Sequence, residues 1–175
     1  DNGYSGKVQF GLVIRDSVIA DISTSEAFES DNNATGTTAS PKTSAIFSNI
    51  TAIGPRATLT NVGSTNFRGG THIRRNTAIS IFNSIIIGWP RGVEVDATLG
   101  NSTALNIEDS SLRLRNITLA GNTVNTRFSG TAGATITNDA AFTAWFTNPF
   151  YNNDLLVNAS EAKLIQPFNY TAPDP

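Results

Sequence analysis

A pattern of alternating apolar and polar positions recurs four times along the chain. The copies cover residues 10–21, 44–54, 78–88 and 111–121. Each copy has an alternating strand, a polar corner residue and a second apolar strand, and ends five positions after the corner. The corner residues are Asp16, Asn49, Asn83 and Asn116, so successive copies (16→49→83→116) are 33, 34 and 33 residues apart. An even period of this length is typical of a repeat protein.

The residues that flank each corner also match from copy to copy. Two positions before the corner stand Ile14, Phe47, Ile81 and Leu114, and four positions before it stand Leu12, Ala45, Ile79 and Leu112. In stacked strands about 4.8 Å apart, such columns form an apolar ladder on one buried face. A column of Asn at the corner can hydrogen-bond along the stack. The pattern therefore predicts an all-β, right-handed parallel β-helix of about four coils of 33–34 residues. An antiparallel sandwich, which also has many short strands, is the alternative.

A third strand in each coil is fainter, and we expect it at residues 27–31, 71–75, 92–96 and 125–129. Loops of unequal length, at residues 32–42, 55–70 and 97–109, separate the strands, and uneven loops on a regular core often form the binding face of a solenoid. After Gly130 the repeat stops. Asn138 and the residues after it predict an N-capped short helix that covers the end of the stack. We expect coils over residues 1–130, and over residues 131–175 this helix and an irregular tail packed on the outside.

Composition narrows the class of protein. The chain has 175 residues, no cysteine, a charged fraction of 15% and a net charge of −2, which argues against nucleic-acid binding. No apolar run is long enough to span a membrane. Both ends read as turns, so we expect this chain to continue from further coils upstream in a longer protein.

Several stretches resemble a known family. FESDNNATG, THIRRNTAISIFNSIIIGWPRGVEVD and the AWF segment resemble large secreted or surface β-helix proteins of Bacteroidetes-type bacteria. The resemblance covers nearly the whole chain and places it in their C-terminal part. It implies an extracellular or bacterial cell-surface location, and it implies no particular activity.

The middle of the chain is a basic island, with no acidic residue between Asp31 and Glu94. We expect an anionic partner, such as an acidic glycan, to bind there, with a tryptophan stacking on a sugar ring. The candidate ligand-binding residues are Arg68, Arg74, Arg75, Trp89 and Arg91. The alternative is that Trp89 only covers the edge of the core.

Acidic side chains suggest two further hypotheses. Glu29, Asp31 and Asp96, with a contribution from Asp1, could bind Ca²⁺, which takes six to eight oxygen ligands. Paired or solvated carboxylates are the alternative. The third strands also predict a column of alternating charge, namely Glu29, Arg74, Glu94 and Arg127.

Enzymes built on β-helices include polysaccharide lyases and glycoside hydrolases. The hydrolase strings NTD, DD, HG and RIK are missing from this chain, and its one histidine, His72, is expected to be packed rather than catalytic. We assign no catalytic residue. The sequence favours a binding or scaffolding protein that presents its loops to a glycan or an outer-membrane protein, and a polysaccharide lyase or glycoside hydrolase is the alternative.

Overall fold

The computed structural model describes residues 2–61 and 63–169, which fold mainly as short strands with two α-helices. Seven strands form sheet A: β1 (Lys7–Gln9), β2 (Leu12–Ile14), β4 (Ile46–Ser48), β5 (Thr51–Ile53), β7 (Ser80–Ile87), β9 (Arg113–Ala120) and β11 (Asp154–Leu156). Four strands form sheet B: β3 (Ser25–Ser30), β6 (Phe67–Arg74), β8 (Arg91–Ala97) and β10 (Val124–Gly130). The helices are α1 (Thr103–Glu108) and α2 (Asp139–Phe146).

Every strand pair in this part of the chain is parallel, which rules out the antiparallel sandwich. Ten of the described strands stack in four layers, each containing strands of both sheets, and β11 adds a further strand to sheet A beside β9. The first layer holds β1, β2 and β3, the second β4, β5 and β6, the third β7 and β8, and the fourth β9 and β10. Parallel strands need long connections, and here each connection runs through the other sheet of the layer.

The core lies between the two sheets, and its apolar columns follow the predicted period from the second layer onward. In the first layer the prediction was wrong: Val8 pairs with Phe47, whereas Leu12 and Ile14 pair with Thr51 and Ile53 and are 59% and 36% exposed. Phe47 pairs with Ile81, which pairs with Leu114, and Ala45, Ile79 and Leu112 are all almost fully buried. From sheet B, Ile73, Val95 and Phe128 pack against them. Burial of apolar area supplies most of the stability of such a core, at about 25 cal/mol per Å².

The corners of sheet A are built by asparagine. Asn49, Asn83, Asn116 and Asn152 all adopt left-handed backbone conformations, with φ between +46° and +56°. Asparagine tolerates this conformation better than most residues because its short side chain bonds locally. The amide of Asn83 donates to Asn49, and that of Asn152 donates to Asn116 over 2.8 Å.

Asp16 does not belong to this column, contrary to the prediction. Gln9 pairs with Ser48 and Leu12 with Thr51, so the residue opposite Asn49 is Phe10, whose φ is +59°. Asp16 instead accepts the backbone N–H groups of Val18 and Ile19 in the turn after β2. The first layer is thus longer than the others, and an even spacing of 33 residues placed its corner six positions too late.

The C-terminal part follows the prediction in one element and departs from it in two. Helix α2 is capped by Asn138, which accepts the N–H of Ala141 over 2.9 Å, and it packs against β10, the last strand of sheet B. The predicted loop at residues 97–109 contains α1, and the predicted irregular tail contains β11. Beyond β11 the tail covers Ile53, Ile87 and Ala120 on the outside of sheet A. Neither described helix is long and apolar enough to cross a membrane.

Candidate functional site

The outward face of sheet B carries a dense cluster of charged side chains, and we call it the charged face. Its residues come from β3, β6 and β8 and the ends of these strands: Glu26, Glu29, Asp31, Arg68, His72, Arg74, Arg75, Arg91, Glu94 and Asp96. Alternation along each strand sends Ile73 and Val95 into the core and their neighbours outward.

The central column of this face is Glu29, His72 and Glu94, and beyond the face the column continues onto β10 at Arg127, which pairs with Asp139. Arg74, predicted for the second place, lies two residues further along and pairs in register with Asp96. The predicted register was wrong by two residues, which keeps Arg74 on the outward face, because side chains alternate along a strand, but moves it past Glu94 to Asp96.

Glu94 is the centre of the face and is only 2% exposed. Its carboxylate accepts from Arg68 Nε and Nη2 at 2.8 and 2.9 Å, and from Arg91 Nη1 at 2.7 and 2.9 Å. Burial alone would raise the pKa of Glu94, but the hydrogen bonds and charges of the two guanidiniums outweigh burial and lower it. Glu94 therefore stays ionised at neutral pH.

His72 is buried behind this centre. Its Nε2 lies 3.0 Å from Asp96 Oδ2, and its Nδ1 lies 3.9 Å from Glu26 Oε1 without a hydrogen-bond partner. Asp96 also accepts the N–H and the hydroxyl of Thr98. Burial raises the pKa of Asp96, but the bonds from His72 and Thr98 prevail and hold it far below its usual range.

The edge of the face nearest the first layer is a second ion-pair cluster. Asp31 accepts from Arg74 Nε at 2.6 Å and from Arg75 Nη1 at 3.0 Å, and Arg74 Nη2 also contacts Glu29 at 2.5 Å. Burial alone would lower the pKa of Arg74, but its bonds to Asp31 and the charges of nearby carboxylates outweigh burial and raise it. The pKa of Arg68 is raised in the same way by Glu94 and Asp96. Acidic residues from both flanks of the basic island thus neutralise the arginines that line the charged face.

The predicted calcium ligands are not assembled into a site. Asp31 and Glu29 bond Arg74, whereas Asp96 bonds His72. Within residues 2–61 and 63–169, no group of three or more Asp, Glu, His or Cys is placed to hold a metal ion. Asp1, the fourth proposed ligand, lies outside the described residues.

Trp89 is not available for stacking on a sugar, contrary to the prediction. It is fully buried, its backbone N–H donates to Asn122 Oδ1 over 2.9 Å, and its indole N–H donates to the carbonyl of Ala52 over 3.2 Å. The residue therefore fills the end of the core. The turn sequence Trp-Pro-Arg is compatible with both an exposed and a buried tryptophan, so the sequence alone does not distinguish sugar stacking from core packing.

A groove beside the charged face was not predicted, and we call it the Arg15 groove. It has a volume of about 530 Å³ and is lined by Arg15, Ile19, Ala20, Asp21, Thr24, Ser25, Glu26 and Glu29. The connection from β2 to β3 forms one wall and β3 forms the other. The assignment of Asp16 as a corner hid this groove, because it treated residues 17–21 as a core strand.

Comparison with known proteins identifies the fold family. A family model described as "Pectate-lyase like beta helix domain" matches residues 1–155. The chain belongs to this family. Neither a search of curated proteins nor a search of solved structures found a match. Family membership supports the β-helix fold, and the role of the charged face has to be inferred from its geometry.

Proposed function

We propose that this chain is a glycan-binding or scaffolding part of a β-helix protein, and that it does not cleave its ligand. In this proposal the four layers are four coils of a right-handed solenoid, because parallel strands joined by a crossover are right-handed in about 98% of cases. The resemblance to Bacteroidetes-type surface proteins supports an extracellular or cell-surface location, with further coils upstream. The loops would then face a glycan or an outer-membrane protein.

The ion pairing of the charged face carries this proposal. A general acid or base works best with a pKa near the operating pH. The pKa values of Glu94 and Asp96 are instead lowered, and Arg68 and Arg74 have raised values, which makes them poor bases. A lyase would need an arginine base beside an acidic calcium cluster, and a hydrolase would need one protonated carboxyl. The paired charges on this face fit neither requirement.

The experiment is a combined binding and cleavage assay on an array of plant, algal and bacterial polysaccharides. We expect retention of at least one polysaccharide with no new reducing ends and no unsaturated uronate absorbance. Cleavage by the wild-type chain that is lost in Glu94→Gln or Arg68→Gln would overturn the proposal in favour of the enzyme. If no polysaccharide is retained, the glycan-binding role is excluded and a role in binding a protein partner remains.

A further inference from the structure

The Arg15 groove differs from the charged face because its arginine makes no hydrogen bond or close ion pair to a carboxylate of the described residues, although its charge acts on Asp16 and Asp21 from further away. Arg15 Nη2 donates to Ser25 Oγ over 2.6 Å, and its guanidinium carbon lies 5.8 Å from the centre of the Phe67 ring. Its Nε is buried and has no hydrogen-bond partner. The four arginines of the charged face all make ion pairs. Arg15 is therefore held in place with donor capacity left over.

Carboxylates line the same groove. The Glu29 side chain is 45% exposed, and the Glu26 side chain is 6% exposed and accepts the Thr24 hydroxyl over 2.7 Å. Asp21 accepts the N–H and the hydroxyl of Ser23, and these bonds lower its pKa, so it is ionised at neutral pH. Among the side chains that line the groove, three carboxylates against one guanidinium give a formal charge of −2, and Arg74, which pairs with Glu29 from outside the groove, offsets one of these charges.

These groups select one ligand chemistry. The guanidinium has donors left for an acceptor, and Asp21 and the 45% exposed Glu29 can accept further hydrogen bonds beside those they already make to Ser23 and Arg74. Hydroxyl groups supply both, whereas uronates supply mainly acceptors and amines mainly donors. A uronate would also bring negative charge into a groove that is already negative. Ile19, 72% exposed, gives an apolar surface for the C–H face of a sugar ring, and the groove, of about 530 Å³, is widely open to solvent.

We propose that the Arg15 groove is a binding subsite for an uncharged, hydroxyl-rich glycan, with Arg15 as donor and Asp21 and Glu29 as acceptors. The inference rests on the proposed glycan-binding function and deepens it. It also replaces the acidic glycan expected from the basic island, because the arginines of that island which line the charged face are engaged by carboxylates.

Isothermal titration calorimetry with defined oligosaccharides tests this subsite. The probes are hexasaccharides of β-1,4-glucan, β-1,3-glucan, β-1,4-mannan and β-1,4-xylan, with oligogalacturonate and chitosan oligomers as charged counterparts. We expect at least one uncharged hexasaccharide to bind more tightly than both charged probes. Asp21→Asn and Arg15→Gln should each weaken this binding about tenfold, the effect of losing one good polar contact.

Two further variants make the result interpretable. Arg127→Gln removes an arginine of sheet B that pairs with Asp139 outside the groove, and it should leave binding unchanged. Glu29→Gln changes an exposed side chain, so it should fold even if Arg15→Gln does not. Tighter binding of oligogalacturonate, or equal binding by wild type and the groove variants, overturns the inference while glycan binding stands. If no probe binds, the subsite and the glycan-binding function both fail.

Discussion

Glu94 offers the sharpest test of how the charged face is held together. The change is Glu94→Gln, which keeps the size of the side chain and removes its charge. Removing one partner of a buried ion pair typically costs about 3–5 kcal/mol. Arg68 and Arg91 retain contact with water, at 25% and 39% side-chain exposure, which places the loss at the lower end. We therefore expect the free energy of unfolding to fall by about 3 kcal/mol.

Urea unfolding at pH 7 measures this loss, and the melting temperature should fall by about 6–12 °C for a domain of this size. Glu29→Gln is the matched control, because its side chain is 45% exposed and pairs with Arg74. An exposed pair contributes about 0–1 kcal/mol. Equal losses in the two variants would refute the reasoning, as would a Glu94→Gln variant more stable than wild type.

The pH dependence gives an independent check on Glu94. Its pKa is lower in the folded chain than in the unfolded chain, where it is about 4.3. The ionised form therefore stabilises the fold above the unfolded pKa, and this contribution disappears as the pH falls through the folded pKa. The difference in stability between wild type and Glu94→Gln should be largest at neutral pH and should shrink below about pH 4.

Three further predictions test other parts of the structure. Trp89→Phe should lower the free energy of unfolding by about 1–3 kcal/mol, because an indole hydrogen bond and buried volume are lost. In a Trp145→Phe background, the fluorescence of Trp89 should be that of a buried indole and resist quenching by iodide, and strong quenching would contradict its burial. Glu108 accepts three backbone N–H groups, and these hydrogen bonds outweigh its partial burial and lower its pKa. Glu108→Gln should therefore lower the free energy of unfolding in urea by about 1.5 kcal/mol at pH 7, and this loss should shrink below about pH 4. A loss that does not depend on pH would show that the negative charge of Glu108 is not what stabilises the fold. Asn83→Ala should lower the free energy of unfolding by about 1 kcal/mol more than Asn83→Gly does, because glycine adopts the left-handed corner conformation without strain and alanine does not. The reverse order in urea unfolding would show that backbone strain does not decide stability at this corner.

The repeat predicted the fold well where each copy was regular. Asn49, Asn83 and Asn116 stand at equivalent corners because each layer from the second to the fourth has nearly the same length. The prediction failed in the first layer because Phe10 occupies the corner position that asparagine fills in the other layers. No polar residue therefore marked this corner in the sequence. An alternating segment around Asp16 matched the period by coincidence and shifted the register.

The candidate site was less predictable because it depends on pairing between layers. The sequence shows which residues carry charge, but not that Asp31 reaches Arg74 and Arg75 from the layer below. A difference of two residues in sheet B decided whether His72 or Arg74 stood beside Glu94. Spacing between charged residues does not fix this register, because the loops between the strands of sheet B vary in length.

The tail on the outside of sheet A bears on how the molecule comes apart. In a simple solenoid each repeat contacts only its neighbours, so unfolding can start at one end and spread one repeat at a time. Here residues 156–168 lie across Ile53, Ile87 and Ala120, which belong to the second, third and fourth layers. If one of these layers loosens, the tail loses part of its packing surface, and its contacts with the other two layers weaken as well. We therefore expect the tail to couple the second, third and fourth layers, so that they unfold together in one cooperative transition rather than one after another.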